Sequence, residues 1–284
     1  MTQLVELQRH VDELSQAGVA VYAVTYDPRD ALARFAEKHG ITYQLLSDEG
    51  SEVIRRFGIL NTLIDAEDPA RHPATGQRFY GIPFPGTYII DAEGIVVEKS
   101  FFASYEKRLS AGTILDRALG RVLVHGETPQ EEAREQMATV TAFLADDALR
   151  RDVASTLYVS IAMDEGFHVY AEPLPAGYVP TTVEVAAVEG LEIGDAAYPP
   201  THRREFPELG VALPVYDSTA VVAVPVTALP ALFTGRAPGE TAAVTIPVKV
   251  TYQACSETVC HRPRTLELEL EVPLSNLVMP DLRR

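Results

Sequence analysis

Val244-Thr245-Ile246-Pro247-Val248-Lys249-Val250-Thr251-Tyr252-Gln253-Ala254-Cys255-Ser256-Glu257-Thr258-Val259-Cys260-His261-Arg262-Pro263 is the most informative stretch of this chain. Up to Tyr252 the apolar residues alternate with Thr245, Pro247, Lys249 and Thr251. After the cysteines Leu266, Leu268, Leu270 and Val272 alternate with Glu267, Glu269 and Glu271. A period of two with one apolar face is the pattern of a half-buried strand, so the cysteines sit at the end of a β-hairpin. They are the only 2 cysteines of the chain.

Antiparallel neighbours lie about 4.5 to 5.5 Å apart at Cα, inside the roughly 4.4 to 6.8 Å that a disulfide needs. Cys255 and Cys260 can therefore bond, and three uses of the pair are open. As a structural staple the bond is weak, because closing a six-residue loop removes unfolded-state entropy worth only about 2 kcal/mol. As a redox pair it is better placed: the thiolate is the attacking species, and His261 and Arg262 directly follow Cys260, although Glu257 opposes them. On this reading Cys260 is the more reactive thiol. As a metal site the trio Cys255, Cys260 and His261 falls one ligand short, and adjacent residues rarely both face one tetrahedral zinc, so no metal is expected.

Tyr252-Gln253-Ala254-Cys255, then Val259-Cys260, then Pro263 resemble the Tyr-Gln-x-Cys…Cys-x-x-Pro signature of the N-terminal domain of the thiol:disulfide interchange protein DsbD. Gly166-Phe167-His168-Val169-Tyr170, Tyr198-Pro199-Pro200 and Val215-Tyr216 extend the likeness over roughly residues 138 to 280. The resemblance implies an immunoglobulin-like β-sandwich whose cysteine pair, Cys255 and Cys260, shuttles between dithiol and disulfide and exchanges electrons with thioredoxin-like or other thiol proteins. It further implies Tyr170 and Tyr252 as site neighbours, beside His261 and Arg262, which their place next to Cys260 already names. It also suggests that Arg203-Arg204-Glu205-Phe206 is a loop in which Phe206 caps the disulfide. A plain core tyrosine at 170 and an ordinary loop aromatic at 206 are the competing readings. Independently, Val140 to Leu144, Ser155 to Met163, Thr182 to Ala187 and Ala220 to Val226 are short β-rich runs parted by Gly, Pro and Asp clusters, which reads as an all-β second half.

The first half has another rhythm. Helices are expected at Leu4 to Leu14, Arg29 to His39 (stopped by Gly40), Glu52 to Phe57 and Ser110 to Leu119. Strands are expected at Val19 to Tyr26 and Tyr43 to Leu46, and on both sides of a turn at Ala92-Glu93-Gly94. Alternating helices and strands imply an α/β domain with a parallel or mixed sheet. The order resembles the redoxin (AhpC/TSA-type) branch of the thioredoxin fold. In that likeness Pro85, with Pro83 as the alternative, stands in the place of the family's cis-proline before Thr87-Tyr88-Ile89-Ile90-Asp91; an ordinary Pro-rich turn is the plain reading. The Gly86 between Pro85 and Thr87 departs from the family's Pro-Thr form.

In such proteins the reactive cysteine lies on a loop before the first long helix, whereas Met1-Thr2-Gln3-Leu4-Val5 begins with that helix under way. The domain is thus expected to be N-terminally incomplete and without peroxidase activity, with exposed apolar surface. The frame before Met1 is expected to encode an apolar strand and a Cys-bearing loop. The domains are read as 1–124 redoxin, 125–137 linker carrying a short helix in Glu131-Glu132-Ala133-Arg134-Glu135, and 138–284 β-sandwich.

Composition bounds the rest. A chain of 284 residues with 46% hydrophobic content can build two cores. Forty acidic against 24 basic residues, a net charge of −16, argue against a nucleic-acid partner. Val221 to Phe233, broken by Pro225 and Pro230, is too short for a membrane span. No dinucleotide, P-loop or zinc-protease motif is present, and no cofactor is expected. No signal peptide follows Met1, so the compartment, periplasmic or cytoplasmic, depends on where the natural protein begins. His10, His39, His72, His125 and His202 have no motif around them. The leading function is a thiol-disulfide oxidoreductase or electron carrier. The alternative is a non-enzymatic interaction module with a structural disulfide.

Overall fold

The computed structural model describes residues 2–71, 76, 78–122, 128–207, 210–235 and 242–275. His72 and His125, and the first residues of the expected linker, lie outside this set. The chain divides into two compact units, one running through Val122 and the other following it.

The first unit is α/β. Helices span Thr2–Gln16, Arg29–His39, Glu52–Arg56 and Ala111–Leu119. Local chemistry sets their ends: Gly40 closes the second helix in the left-handed region at φ 63°, which glycine enters without Cβ strain. The Ser110 side chain opens the last one by accepting a hydrogen bond from the Thr113 amide at 3.1 Å. Tyr22–Thr25 pairs in parallel with Gln44–Ser47, and Gly86–Ile90 pairs antiparallel with Val96–Phe101. These remain two separate two-stranded sheets. A two-stranded ribbon cannot cover both of its faces. Tyr22 is accordingly 62% exposed and Val97 60%, and Val24, Ile90 and Val96 are exposed as well. The sequence pattern had suggested a longer, continuous strand over 19–26.

The proline expectation is corrected. Among the described residues the cis peptide bond is Glu172–Pro173, so the bonds before Pro83 and Pro85 are trans. The segment runs extended: Pro83 bridges Leu60, the Phe84 amide donates to the Ile59 carbonyl at 2.7 Å, and the Phe102 amide donates to the Pro85 carbonyl at 3.0 Å. An extended run of this kind continues straight into a strand and needs no cis turn, while trans is the cheaper isomer. Gly86 has its own reason, because a Cβ there would sit 2.2 Å from the ring of Phe101, its cross-strand partner.

The second unit is all β. The larger sheet runs in the order Leu191–Ile193, Thr219–Ala228, Val153–Met163, Ala138–Leu144, Gln130–Glu135. A four-stranded sheet runs Thr182–Val185, Ala242–Tyr252, Arg264–Ser275, Leu149–Arg150. Their facing residues form the main core: Leu157, Val159 and Ile161 with Val222 and Val226 on one side, and Ile246, Val250, Tyr252, Leu268 and Leu270 on the other. Every second residue of the long hairpin is inside and its neighbours Lys249, Glu267, Glu269 and Glu271 are outside, as the alternation requires.

Glu131 to Glu135, expected as a short helix in a linker, is instead part of the strand Gln130–Glu135, paired with Ala138–Leu144 through a turn at Gln136. Strand pairing outweighs the helical propensity of a glutamate run here, and charged side chains suit a sheet's outer strand because they discourage further pairing.

A third sheet positions the cysteines. Its order is His202–Phe206, Val211–Asp217, His168–Tyr170, Ala254–Cys255. Val169, Tyr216 and Ala254 point into the main core. Tyr170, Leu213, Val215 and Cys255 point to the opposite side and make a small second cluster. One sheet thus roots in the sandwich with one face and builds a site on the other.

Candidate active site

Tyr252 ends one long strand and Arg264 starts its partner, opposite each other in register. The eleven residues between them hold both cysteines. Gln253 fastens this loop at two points. Its side-chain amide donates to the His261 carbonyl at 3.1 Å, and its side-chain oxygen accepts from the Val179 amide at 3.2 Å. Inside the loop the Ser256 amide donates to the Val259 carbonyl at 2.7 Å and the His261 amide to the Ala254 carbonyl at 2.9 Å, which closes a tight turn over Glu257 and Thr258. Cys255 and Cys260 face each other across this turn with Cα atoms 4.1 Å apart and are joined by a disulfide.

The two sulfurs live in different surroundings. Cys255 is fully buried, whereas Cys260 lies in an exposed run with Glu257, Thr258 and Val259. Tyr170 contacts the exposed partner, with Oη 3.7 Å from the Cys260 sulfur. A disulfide sulfur has no proton, so the phenol donates. Burial, and secondarily Tyr178, pushes the Tyr170 phenol above its ordinary pKa, which keeps that proton in place.

Tyr170 also stacks edge-on against Tyr178 at 5.1 Å and against His168 at 5.3 Å, with the Phe206 ring 5.3 Å from His168. Phe206 packs on the cluster that contains Cys255. It comes from a strand rather than the expected loop, since His202–Phe206 is paired residue by residue with Val211–Asp217.

The other expected neighbours separate. Tyr252 belongs to the main core, fully buried, its hydroxyl donating to the Glu135 carbonyl at 2.6 Å. Its role is to anchor the loop's entry, and Tyr252→Phe is expected to lose about 1 kcal/mol of stability in urea unfolding without altering the cysteines' reactivity. The His261 ring packs against Phe167 at 5.8 Å, and Arg262 is exposed, its carbonyl accepting from Gln136. The side chain that meets the Cys260 sulfur is the phenol of Tyr170. Exposure sets Cys260 apart from the buried Cys255.

Two residues at the site were missing from the sequence reading of it, His168 as a site member and Arg204. The Arg204 guanidinium reaches His168 Nδ1 at 3.4 Å, Asp217 at 3.5 Å and Glu257 at 3.4 Å, and lies over Phe206 at 5.9 Å. Strand alternation could have found both: 168 shares a face with 170, and 204 shares one with 206. Among the described residues no group of three His, Cys, Asp or Glu side chains is placed to hold a metal ion.

Residues 1–99 match the AhpC/TSA family, and residues 137–271 match the family described as thiol:disulfide interchange protein DsbD, N-terminal. The chain joins a redoxin region to a DsbD N-terminal region. Its fold class is accordingly a thioredoxin-like region followed by an immunoglobulin-like, β-rich domain. Peroxiredoxin Bcp of Escherichia coli (strain K12) is 42% identical over 92 residues, 31% of this chain and 50% of the relative. A putative peroxiredoxin bcp of Coxiella burnetii is 31% identical over 84 residues, 30% of this chain and 49% of the relative. The chain thus spans about half the length of the curated relatives it matches.

Among solved structures, the N-terminal periplasmic domain of ScsB from Proteus mirabilis aligns with a TM-score of 0.35 and 13% identity, over 50% of this chain and 51% of that one. The reduced DsbD N-terminal domain of Neisseria meningitidis aligns with a TM-score of 0.27 and 19% identity, over 52% of this chain and 89% of that one. No helix among the described residues is long and apolar enough to cross a membrane.

Proposed function

We propose that this chain is a thiol-disulfide oxidoreductase or electron carrier that works through Cys255 and Cys260 and exchanges with thiol proteins, of which thioredoxin-like dithiols are the best fit. The observation that carries this reading is the asymmetry of the bonded pair. Cys260 is exposed, where an incoming thiolate can approach, and Cys255 is buried behind it on a cluster of aromatic side chains. A disulfide made only to brace the fold has no use for an exposed sulfur, and here a tight turn already closes the same short loop through backbone hydrogen bonds.

In the reductive direction a partner thiolate attacks the Cys260 sulfur. The bond between the two cysteines breaks and its electron pair goes to Cys255. The partner's second thiolate then attacks its own sulfur in the mixed disulfide and releases Cys260. Two electrons enter the pair, two protons are taken up, and the partner leaves as a disulfide. Tyr170 is placed to donate to Cys260 as that sulfur becomes a thiolate. Phe206 and Tyr178 limit access to Cys255.

The test is equilibration of the full chain in glutathione buffers followed by mass-tag alkylation. Two thiols are expected to appear together at an accessible ratio, because a carrier lies well above the roughly −300 mV below which structural disulfides typically fall. A pair that stays oxidised in strongly reducing buffer while the fold is intact assigns the disulfide to the scaffold instead.

A further inference from the structure

His168 is fully buried, yet its Nε2 has no hydrogen-bond partner. The other nitrogen fixes which proton is missing an acceptor. Arginine only donates, so the Arg204 contact at 3.4 Å makes Nδ1 the acceptor, and a neutral ring then carries its hydrogen on Nε2. Burial, and after it the Arg204 charge, pushes the imidazole down to about 4, so the ring is neutral near pH 7. The disulfide form therefore holds a dry N–H donor with nothing to donate to, an arrangement that proteins seldom keep without a use.

Register shows what that donor is waiting beside. His168 is directly opposite Cys255 in the antiparallel pair, on the face that also carries Tyr170, and both residues are fully buried. Opposed residues of an antiparallel pair have adjacent side chains. A sulfur in a disulfide is a poor acceptor, whereas a thiolate is a strong one. The reaction puts a thiolate at Cys255 when the partner's sulfur bonds to Cys260 and the electron pair of the broken bond moves inward. Water cannot reach that charge at a fully buried position.

We infer that His168 is the hydrogen-bond donor for the Cys255 thiolate, its neutral Nε2–H receiving the leaving sulfur when the disulfide opens. The inference rests on the carrier reading and adds to it a residue that sets how easily the pair accepts electrons. Arg204 acts through His168 as a positioning residue, since its contact with Nδ1 holds the proton on Nε2. Its own charge is shared with Asp217 and Glu257. The donor stabilises the open pair and leaves the disulfide unsatisfied, so it makes the pair easier to reduce.

The experiment compares the full-length wild type, His168→Phe and His168→Gln in glutathione buffers. The phenylalanine keeps an aromatic ring and removes the donor; the glutamine amide keeps an N–H at a similar reach. Loss of one charge-assisted hydrogen bond should lower the equilibrium constant for reduction about tenfold in His168→Phe, a shift of about 30 mV to more negative potential. His168→Gln should recover most of it. In a Cys260→Ser background the lone Cys255 should need a higher pH for alkylation when His168 is Phe than when it is His or Gln. Equal constants for wild type and His168→Phe overturn the inference while leaving the carrier reading intact. A glutamine variant as low as the phenylalanine one overturns it too, by showing that packing rather than donation matters. A wild-type pair that no glutathione ratio opens overturns the carrier reading itself, and that result is separate because it appears before any variant is made.

Discussion

With one cysteine of the pair replaced, the two single-thiol variants will differ in alkylation rate by about a hundredfold at neutral pH, Cys260 in Cys255→Ser being the faster. Cys260 sits in an exposed run, so a reagent of any size meets it in the native state. Cys255 is fully buried under Tyr170, Leu213, Val215 and Phe206, so its sulfur reacts only when the sheet edge opens. Opening of an edge strand costs free energy, and the reaction is slowed by the fraction of time spent open. Two short measurements decide it, iodoacetamide labelling of each variant under native conditions and again in urea. The native gap should close in urea, where both thiols are equally exposed. A faster Cys255 in the native protein, or a gap that persists in urea, would falsify the assignment of Cys260 as the point of entry.

Much of this was legible in the residues. The alternation from Val244 to Tyr252 and from Leu266 to Val272 predicts the long hairpin because the pleat leaves no other way to bury one face. Gly40 stops its helix for the reason glycine usually does. The site was legible only in part. A turn carrying two cysteines announces itself, but the partners that a third sheet brings to it come from positions 168, 170, 204 and 206, far off in the chain. Arg204 was read as part of a loop because the family likeness suggests a capping loop at 203–206. It is a strand because Val211–Asp217 pairs with it. Glu131 to Glu135 misled in the same way, since composition favours a helix and the pairing partner Ala138–Leu144 settles the matter. Pro85 was misplaced through a family pattern, while the backbone around it is plainly extended.

Acid should expose His168 in a second way, independent of redox chemistry. In the folded protein its imidazole is pushed down to about 4, while in the unfolded chain it has the ordinary value near 6.5. Between those values the unfolded chain binds a proton that the folded one refuses. Stability therefore rises with pH across this window: the contribution is fully present above about 6.5, is lost as pH falls toward about 4, and changes no further below that. The most this one group can remove is about 3 kcal/mol. The groups that face it are Arg204 and His202 from one strand and Asp217 from the next. Tyr170 lies on its own strand and Cys255 opposite, with Glu257 joined through Arg204. His168→Phe removes the titrating ring and with it the Arg204 contact, a loss common to both pH values, so only the pH-dependent difference is assigned to the proton. Hydrogen exchange of Thr219–Ala228, a central strand of the sandwich, reads the unfolding of this unit separately from the redoxin region. Measured at pH 7 and pH 4.5, wild type should lose more stability than the phenylalanine variant, and the difference between the two losses belongs to His168. Equal losses would mean that the ring takes up its proton without resistance, and so is not held neutral and dry behind the disulfide.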